Sequence, residues 1–305
     1  MPVNDHPLPE PAGNHLANFF PLDESMLYMD PNELQFMRTQ TGIMDEDDLK
    51  KHILQVQAEA YEVYPYPCIR RFGFIRFKLG LLPAYEKVLK LGKERAGAIL
   101  LDVGCCFGDD VRKAAADGFP AKQIVATDLH PEYWNLGHKL FRSTKESFPA
   151  TFVPGDVFDP AHIEVIPPLD ATPSELPPDL SSLTSLNPLR GHVSVIHASS
   201  FFHLFDEETQ ERVARALASL LSPLPGSVIL GTHSGNAGPG LRADIYGPKG
   251  DTFTLFCQSA NALEEMWDGR VFKKGTVKVE TRIATDWVAT NEMKYDFLQW
   301  SVTRL

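Results

Sequence analysis

The chain has 305 residues, of which 43% are hydrophobic and 23% charged, and its formal net charge is −11. This apolar content is enough for a packed core and excludes an intrinsically disordered protein. Nucleic-acid binding depends on clustered Lys and Arg, so the acidic balance argues against DNA or RNA as a partner. No run of about 18 apolar residues predicts a membrane span, and the first residues show no signal-peptide pattern.

The cysteine and histidine patterns set further limits. The four cysteines, Cys68, Cys105, Cys106 and Cys257, form neither a CxxC pair nor a disulfide framework. This usage predicts a reducing, cytoplasmic setting. None of the ten histidines belongs to an HExxH motif or a Cys/His ligand set, so no metal site is predicted.

The N-terminal part is predicted to be helical from residue 25 to residue 97. Residues 1–24 contain five prolines and little periodicity, so we expect a loosely ordered arm there. From the N-cap Asp45 onwards, one helix stripe is predicted, with its apolar positions at Leu49, Ile53, Val56, Ala60 and Val63. Further helical material follows, with breaks at Gly80 and Pro83. We expect this extension to pack on and cover an active site in residues 98–305.

From residue 98 the pattern alternates between strands and helices, which is typical of βαβ units around a parallel sheet. The candidate parallel strands are Ala98–Val103, Gln123–Thr127, Thr151–Val153, Val193–Ala198 and Ser227–Gly231. Helices are expected to begin near Asp109 and Pro131 and after the N-cap Asp206. Two late segments, Thr276–Thr285 and Asp296–Thr303, are predicted to complete the sheet as an antiparallel pair.

A proline-rich segment interrupts this alternation before the fourth strand. Residues 160–191 contain seven prolines together with several Ser and Thr residues. Loops of this length are uncommon in compact domains and are usually functional or mobile. The segment is therefore predicted to be a loop insertion that is a candidate for a lid.

The turn after the first strand carries the clearest ligand signal. In Asp102-Val-Gly-Cys-Cys-Phe-Gly108, two glycines stand four residues apart where a buried strand passes into a helix. Gly104 allows close approach of a ligand to the backbone, and Gly108 allows close helix packing. A dinucleotide fingerprint requires a third glycine where Cys106 stands, so binding of NAD is disfavoured. Asp102 is positioned to receive an ammonium group of the ligand.

Acidic residues also end the next two strands. Asp128 follows the second strand, where the fold would bond two ribose hydroxyls. Asp156 follows the third strand and could accept a hydrogen bond from an adenine amine, with Leu129, Val157 and Phe158 around the ring. A single Asp at a strand end is often only a turn residue. Three such residues at one edge of a sheet favour a nucleoside site.

These residues resemble the motifs of class I S-adenosylmethionine-dependent methyltransferases. Further segments, Tyr64-Pro-Tyr-Pro-Cys-Ile-Arg, Gly137-His-Lys-Leu-Phe-Arg and Ile196-His-Ala-Ser-Ser-Phe-Phe-His, resemble a fungal methyltransferase family that includes carboxyl methyltransferases of terpenoid and meroterpenoid intermediates. The resemblance implies an α/β, Rossmann-like fold with a seven-stranded sheet of order 3-2-1-4-5-7-6. It also implies S-adenosyl-L-methionine as the cofactor and S-adenosyl-L-homocysteine as the product. The implied cofactor residues are Asp102, Gly104, Cys105, Gly108, Asp128, Leu129, Asp156, Val157, Phe158 and His197.

The acceptor is predicted to be a small, largely apolar metabolite, methylated on a carboxylate oxygen. Tyr64, Tyr66, Phe201, Phe202 and Trp267 are candidates for an apolar acceptor pocket, and Arg70 for a partner of the acceptor carboxylate. A carboxylic acid has an intrinsic pKa of about 4 and needs no base at neutral pH. An alcohol or amine acceptor generally needs one, and His203 is then the candidate.

Other readings stay open at this point. Each aromatic candidate is equally a core residue, Arg70 equally a surface residue, and His203 equally a structural histidine that hydrogen-bonds the backbone. A hydroxyl or amine acceptor with His203 as general base is one alternative function. A non-catalytic cofactor-binding subunit, homodimeric through its N-terminal helices, is another. An NAD-dependent oxidoreductase is a third alternative.

Overall fold

In a computed structural model, the structure describes residues 20–235, 240–246, 252–285 and 296–305. Residues 1–19 of the predicted arm lie outside this description. The N-terminal extension contains four α-helices, α1 (Pro31–Thr41), α2 (Glu46–Val63), α3 (Pro67–Arg70) and α4 (Tyr85–Glu94). Asp45 caps α2 by accepting a hydrogen bond from the backbone N–H of Asp48. The predicted apolar stripe of α2 is buried, apart from the half-buried Val63.

The predicted break at Pro83 is present between the short 3₁₀ helix Lys78–Leu81 and α4, whereas Gly80 lies within that helix, and two further breaks occur earlier. Phe72 and Phe77 have φ angles of 56° and 43°, in the left-handed region, and each precedes a short 3₁₀ turn. That conformation costs a non-glycine residue about 1–2 kcal/mol. Burying a phenylalanine side chain contributes about 1.5–3 kcal/mol, and both rings are buried. Burial therefore outweighs the backbone strain, which the local sequence pattern does not reveal.

The remaining chain forms a seven-stranded sheet and a separate hairpin. The strands are β1 (Ile99–Val103), β2 (Ile124–Thr127), β3 (Thr151–Phe152), β4 (Val193–His197), β5 (Val228–Ser234), β6 (Gly240–Tyr246), β7 (Thr252–Cys257), β8 (Val277–Thr285) and β9 (Asp296–Arg304). The sheet has the order β3-β2-β1-β4-β5-β9-β8, and β6 pairs with β7 alone. β1 to β5 are parallel, whereas β9 is antiparallel to both of its neighbours.

This topology confirms the predicted Rossmann-like fold. Numbered within the seven-stranded sheet alone, the strands have the predicted order 3-2-1-4-5-7-6. The predicted helix starts are also confirmed, with α5 (Asp109–Ala116), α6 (Pro131–Leu140) and α7 (Glu207–Leu220), which Asp206 caps. The β6–β7 hairpin and α8 (Ala260–Trp267) were not predicted. Within the described residues, no helix combines the length and apolarity required to cross a membrane.

Apolar side chains cover both faces of the sheet, because successive residues of a strand point to opposite sides. Leu101 and Ile196 pack on the face that α7 and α8 cover. Leu100 and Val195 pack on the opposite face, with residues of α4 and α5. This arrangement leaves the strand ends as the accessible edges of the sheet.

The N-terminal extension packs over the glycine turn that follows β1. Phe107 of this turn belongs to the hydrophobic cluster of the extension. Its ring lies 4.6 Å from that of Phe74, edge to face. In the same cluster, Tyr133 of α6 packs beside residues of α2. The extension is thereby fixed next to the carboxyl ends of the first two strands.

The proline-rich segment 160–191 connects β3 to β4 without an α-helix. Its two ends are tied together where the Asn187 side-chain amide donates to the carbonyls of Pro160 and Ala161. Arg304 donates to the carbonyl of Leu169, which places this part of the loop at the amino end of β5. That edge is opposite to the carboxyl ends of the parallel strands, so this part of the loop does not cover them.

A substitution at Gly137 tests the close packing of α6 on the glycine turn. A Cβ atom at this position would lie 2.1 Å from the carbonyl oxygen of Phe107. Gly137→Ala should therefore lower the free energy of unfolding by about 1–3 kcal/mol, the usual cost of overpacking. Urea denaturation measures this change. At Gly80 the nearest atom would lie 3.6 Å away, so Gly80→Ala is the matched control. Equal stability of the two variants would contradict the packing argument.

Candidate cofactor and acceptor site

The parallel strands bring the predicted polar residues to one edge of the sheet. Asp102 of β1 is in register with His197 of β4. Val103 is in register with Thr127, directly before Asp128. Asp156 follows β3 at the same edge, because β3 runs parallel to β2. The predicted convergence of three acidic residues is therefore present.

The glycine turn has a backbone that only glycine suits at both ends. Gly104 and Gly108 have φ angles of 68° and 67°. A Cβ atom at Gly104 would lie 2.7 Å from the ring of Phe201, and one at Gly108 would lie 2.5 Å from the ring of Trp134. The N–H groups of Gly104 and Cys105 both donate to the carbonyl of Thr127. These contacts fix the turn against the end of β2.

Asp128 links this turn to the second strand. Its Oδ2 accepts from the backbone N–H of Cys106 at 2.9 Å, and its Oδ1 accepts from that of His130 at 3.0 Å. Burial raises the pKa of Asp128, while these two hydrogen bonds oppose the rise. Each carboxylate oxygen can accept a second hydrogen bond. A fixed carboxylate with two remaining acceptor positions suits a vicinal diol, such as the hydroxyls of a ribose.

The residues around Asp156 form an apolar surface beside an acceptor group. Asp156 is exposed, and one of its oxygens accepts from the backbone N–H of Phe158. Val157 is nearly buried and Phe158 half-buried, whereas Leu129 is 44% exposed. An exposed leucine next to ordered acidic residues suits the face of a planar ring that carries an exocyclic amine.

Asp102 and His197 form a buried pair beneath the turn. His197 Nδ1 lies 2.7 Å from Asp102 Oδ1, and His197 Nε2 lies 2.6 Å from Ser199 Oγ. Asp110 Oδ2 is 4.0 Å from the same Nε2. Burial lowers the pKa of His197, but Asp102 and Asp110 outweigh it, so the net pKa is raised. Asp102, predicted as a ligand of an ammonium group, thus also holds a histidine.

Sequence reasoning missed a buried group of charges next to this pair. Lys78 donates from Nζ to the carbonyl of Gly73 at 2.8 Å. The backbone N–H of Leu79 donates to Asp110 Oδ1 at 2.6 Å. Asp109 is 4% exposed, and its Oδ2 has no hydrogen-bond partner in the described part of the chain. The consecutive acids directly after Gly108 were the available signal, whereas the approach of Lys78 depends on the tertiary fold.

His203 does not have the geometry of a general base. Its Nδ1 accepts a hydrogen bond from the backbone N–H of Ser234 at 3.0 Å. Burial lowers the pKa of His203 to about 4, so the ring is neutral and carries its proton on Nε2. Neither nitrogen then has a free lone pair for a proton from an acceptor. This favours the structural reading of His203 over the catalytic hypothesis.

Two of the aromatic candidates lie in the hydrophobic core. Phe202 and Trp267 have no exposed surface, and their rings pack 6.0 Å apart. Their predicted contact with an acceptor is therefore corrected to a supporting position. Phe201 is half-exposed and packs against Gly104, which brings it next to the glycine turn.

Tyr64 and Tyr66 lie at the Asp128 end of the candidate site. Their ring centroids are 4.3 Å apart, and both rings are near that of His130. Burial raises the pKa of Tyr66, and the nearby Asp128 carboxylate raises it further. The tyrosines therefore lie beside His130, and Tyr66 lies close to Asp128.

Arg70 is engaged by the N-terminal segment instead of an open pocket. Its Nε donates to the carbonyl of Pro21 at 2.9 Å, and its guanidinium lies over the ring of Phe20. The hydroxyl of Tyr61 donates to the carbonyl of Phe20. The predicted contact of Arg70 with an acceptor carboxylate stays a prediction. Residues 20–24, predicted to belong to a loose arm, are held by these contacts.

Comparisons with known proteins find methyltransferases among the relatives of this chain. Residues 23–75 match the family model of the meroterpenoid methyltransferase N-terminal domain. The chain is 32% identical over 238 residues to O-methyltransferase atr3 of Stereocaulon alpinum, covering 78% of this chain and 61% of that protein. It is 30% identical over 224 residues to O-methyltransferase phiE of a fungal species, strain ATCC 74256, covering 73% of this chain and 66% of that protein. The chain thus spans less than two thirds of the length of these relatives.

A solved structure shows a weaker likeness. Magnesium protoporphyrin IX methyltransferase (ChlM) from Synechocystis PCC 6803 aligns with 93% of this chain and 99% of its own, at 11% identity and a TM-score of 0.41. The family match and the relatives confirm the resemblance to fungal secondary-metabolite methyltransferases that the motifs predicted.

Proposed function

We propose that the chain is an S-adenosylmethionine-dependent methyltransferase that esterifies a carboxylate of a small, largely apolar metabolite in fungal secondary metabolism. The observation that carries the proposal is Asp128, whose carboxylate is fixed to the glycine turn and retains acceptor positions for a diol. The methyltransferase names of the relatives and the meroterpenoid family match support the same activity.

The residues present fit the cofactor. Asp128 would hold the ribose hydroxyls, and Asp156 the adenine amine, with Leu129 and Phe158 against the ring. Glycine is required at Gly104, where a Cβ atom would meet the ring of Phe201. The ring of Phe201 therefore lies directly against the turn that would face the sulfur-bearing chain. When bound, the cofactor supplies an electrophilic methyl group.

The protein's contribution to transfer is positioning and exclusion of water. In-line displacement requires the acceptor oxygen and the methyl carbon to be held about 3–3.5 Å apart. The Asp128 contacts fix the turn on one side, and the packing of Phe74 on Phe107 fixes it on the other. The extension thereby shields the turn from solvent, which strengthens the electrostatic interactions of bound groups.

A carboxylate acceptor agrees with the state of His203. Such an acceptor is already ionised at neutral pH, so its oxygen attacks without loss of a proton. His203 has its Nδ1 occupied by Ser234 and is neutral. An acceptor that needs proton removal would need another base. Because a carboxylate needs no general base, the neutral and occupied His203 favours esterification over methylation of a hydroxyl or amine.

The activity is tested with labelled methyl donor. The full chain is incubated with methyl-labelled S-adenosylmethionine and apolar terpenoid carboxylic acids, each paired with its alcohol and amine analogue. Mass spectrometry should find the label in the acids, and alkaline hydrolysis should release it as methanol. Labelling of alcohols or amines alone would contradict the carboxylate acceptor. Failure to bind S-adenosylhomocysteine in calorimetry would refute the methyltransferase assignment.

Asp128→Ala should weaken the binding of S-adenosylhomocysteine by about 1–3 kcal/mol, because hydrogen bonds to the ribose are lost. Isothermal titration calorimetry measures the change, and thermal unfolding checks that the variant is folded. Asp47→Ala, on the exposed first turn of α2, is the control and should bind as the wild type does. Unchanged affinity in Asp128→Ala would remove Asp128 from the proposed site.

A further inference from the structure

We propose that Lys78 and Asp109 recognise the amino-acid end of the cofactor, with the Lys78 ammonium on its carboxylate and the Asp109 carboxylate on its ammonium. The inference rests on the proposed function and deepens it, because it assigns two residues outside the predicted cofactor set. One of them, Lys78, comes from the N-terminal extension.

Lys78 presents a half-buried ammonium with donors that the protein does not use. It stands in the short turn Lys78–Leu81, directly before Leu79, whose N–H is bonded to Asp110. Its Nζ makes one hydrogen bond, to the carbonyl of Gly73, and no carboxylate of the described residues lies within ion-pair distance. An ammonium group carries three donors. A half-buried charge gains from a partner that completes its hydrogen bonds.

Asp109 presents a buried carboxyl group next to the glycine turn, and burial together with the neighbouring Asp110 raises its pKa. It is the first residue of α5 and directly follows Gly108, the last glycine of the ligand turn. Its side chain is almost fully buried, yet Oδ2 lacks a hydrogen-bond partner among the described residues. A buried unpartnered carboxylate oxygen is unfavourable in the free protein. A bound ammonium would remove this cost with a charge-assisted hydrogen bond.

The two groups belong to one connected cluster beneath the turn. Asp110 holds the backbone of Leu79 through Oδ1, and its Oδ2 lies 4.0 Å from His197 Nε2. His197 in turn binds Asp102 of β1. Burial lowers the pKa of Lys78, but the charges of Asp109 and Asp110 raise it more. Lys78 and Asp109 thus interact electrostatically, although no hydrogen bond joins them.

A zwitterion suits these two groups better than a single anion. An acceptor carboxylate on Lys78 would satisfy the lysine but would leave Asp109 Oδ2 unpartnered. It would also draw electron density from the attacking oxygen. The α-amino and α-carboxylate groups of a methionine moiety carry one charge of each sign and would satisfy both residues.

Binding measurements with matched ligands test the inference. Calorimetry compares S-adenosylhomocysteine, its decarboxylated analogue and 5′-methylthioadenosine, which lacks the amino-acid end. The wild type should bind S-adenosylhomocysteine at least tenfold more tightly than either analogue. Lys78→Met and Asp109→Asn should each weaken S-adenosylhomocysteine about tenfold or more and change 5′-methylthioadenosine less than twofold. Lys78→Met should have no such effect on the decarboxylated analogue. Lys90→Met and Asp47→Asn, at exposed positions, are the controls.

The outcomes separate this inference from the proposed function. If wild-type protein binds 5′-methylthioadenosine as tightly as S-adenosylhomocysteine, the inference fails while the methyltransferase assignment stands, and this comparison needs no variant. An unchanged affinity for S-adenosylhomocysteine in both variants also overturns it, as does a raised acceptor KM in Lys78→Met without weaker cofactor binding. If the wild type binds no S-adenosylhomocysteine, the proposed function itself fails.

Discussion

Replacing His197 by leucine is expected to lower the free energy of unfolding by about 3–5 kcal/mol at pH 6, because a buried carboxylate then loses its hydrogen-bonded partner. His197 binds Asp102 at 2.7 Å, and Asp110 lies 4.0 Å away on the other side of the ring. All three side chains are buried. Urea denaturation of wild type and variant provides the measurement.

The pH dependence of this difference is a second readout. The two carboxylates raise the pKa of His197 above its unfolded value of about 6.5, against the effect of burial. The stabilisation is therefore fully present below pH 6.5 and is lost as the pH rises through the raised pKa. The difference in the free energy of unfolding between wild type and His197→Leu should therefore become smaller in alkaline solution. A loss below about 1 kcal/mol at pH 6, or a gap that widens with pH, would contradict the ion-pair account.

A paired substitution separates this pair from general damage to the core. In Asp102→Asn/His197→Leu the buried charge on Asp102 is removed together with its partner. The double variant should be more stable than the sum of the two single losses predicts, by about 1 kcal/mol or more, because contacting residues couple. Additive losses would show that His197 acts through its volume alone.

The sheet and the acidic edge were predictable because they follow from local patterns. Apolar runs of strand length and the cap at Asp206 mark elements within a few residues of their true ends. Parallel strands bring their carboxyl ends to one edge, so Asp128 and Asp156 could be placed together without coordinates. Predictions of this kind depend on chain order alone.

The missed features depend on contacts between distant segments. The left-handed conformation of Phe72 is stabilised by burial in the extension's core, which no local pattern reveals. Lys78 approaches Asp109 only because the extension packs on α5. The engagement of Arg70 by Pro21 likewise requires the folded N-terminal segment. The residue type predicted that a charged side chain such as Arg70 could bind a ligand. Its actual contacts depend on the tertiary fold.

His203 shows the same limit at the candidate site. Its place after β4 suggested a base, because that strand ends at the acceptor side of the sheet. The hydrogen bond from Ser234 at the end of β5 decides its state, and strand pairing alone could not supply that contact. A histidine near a cleft can act as a general base only if one ring nitrogen has a lone pair that no other group occupies.

Lowering the pH from 7.5 to 5 should reduce the free energy of unfolding by about 4 kcal/mol through His203 and His233 together. Burial lowers the pKa of His203 to about 4 and that of His233 to about 3. In the unfolded chain both titrate near 6.5. At a pH between the native and unfolded pKa values, both histidines are protonated in the unfolded chain and neutral in the native protein. The free energy of unfolding therefore decreases as the pH falls. Each group contributes about 1.4 kcal/mol per pH unit in this window.

Asparagine variants isolate this contribution from other titrating groups, including His197, whose raised pKa has the opposite effect. The Nδ1 atoms of His203 and His233 accept from Ser234 N–H and from the Trp300 indole N–H, and an asparagine oxygen can replace either acceptor. His203→Asn should therefore lose about 2 kcal/mol less than wild type over the same pH range, and the double variant about 4 kcal/mol less. Urea denaturation at half-unit pH steps measures these slopes. Parallel stability curves for wild type and double variant would mean that both histidines take up protons in the native protein over the same pH range as in the unfolded chain. A protonated His203 could not accept the Ser234 hydrogen bond.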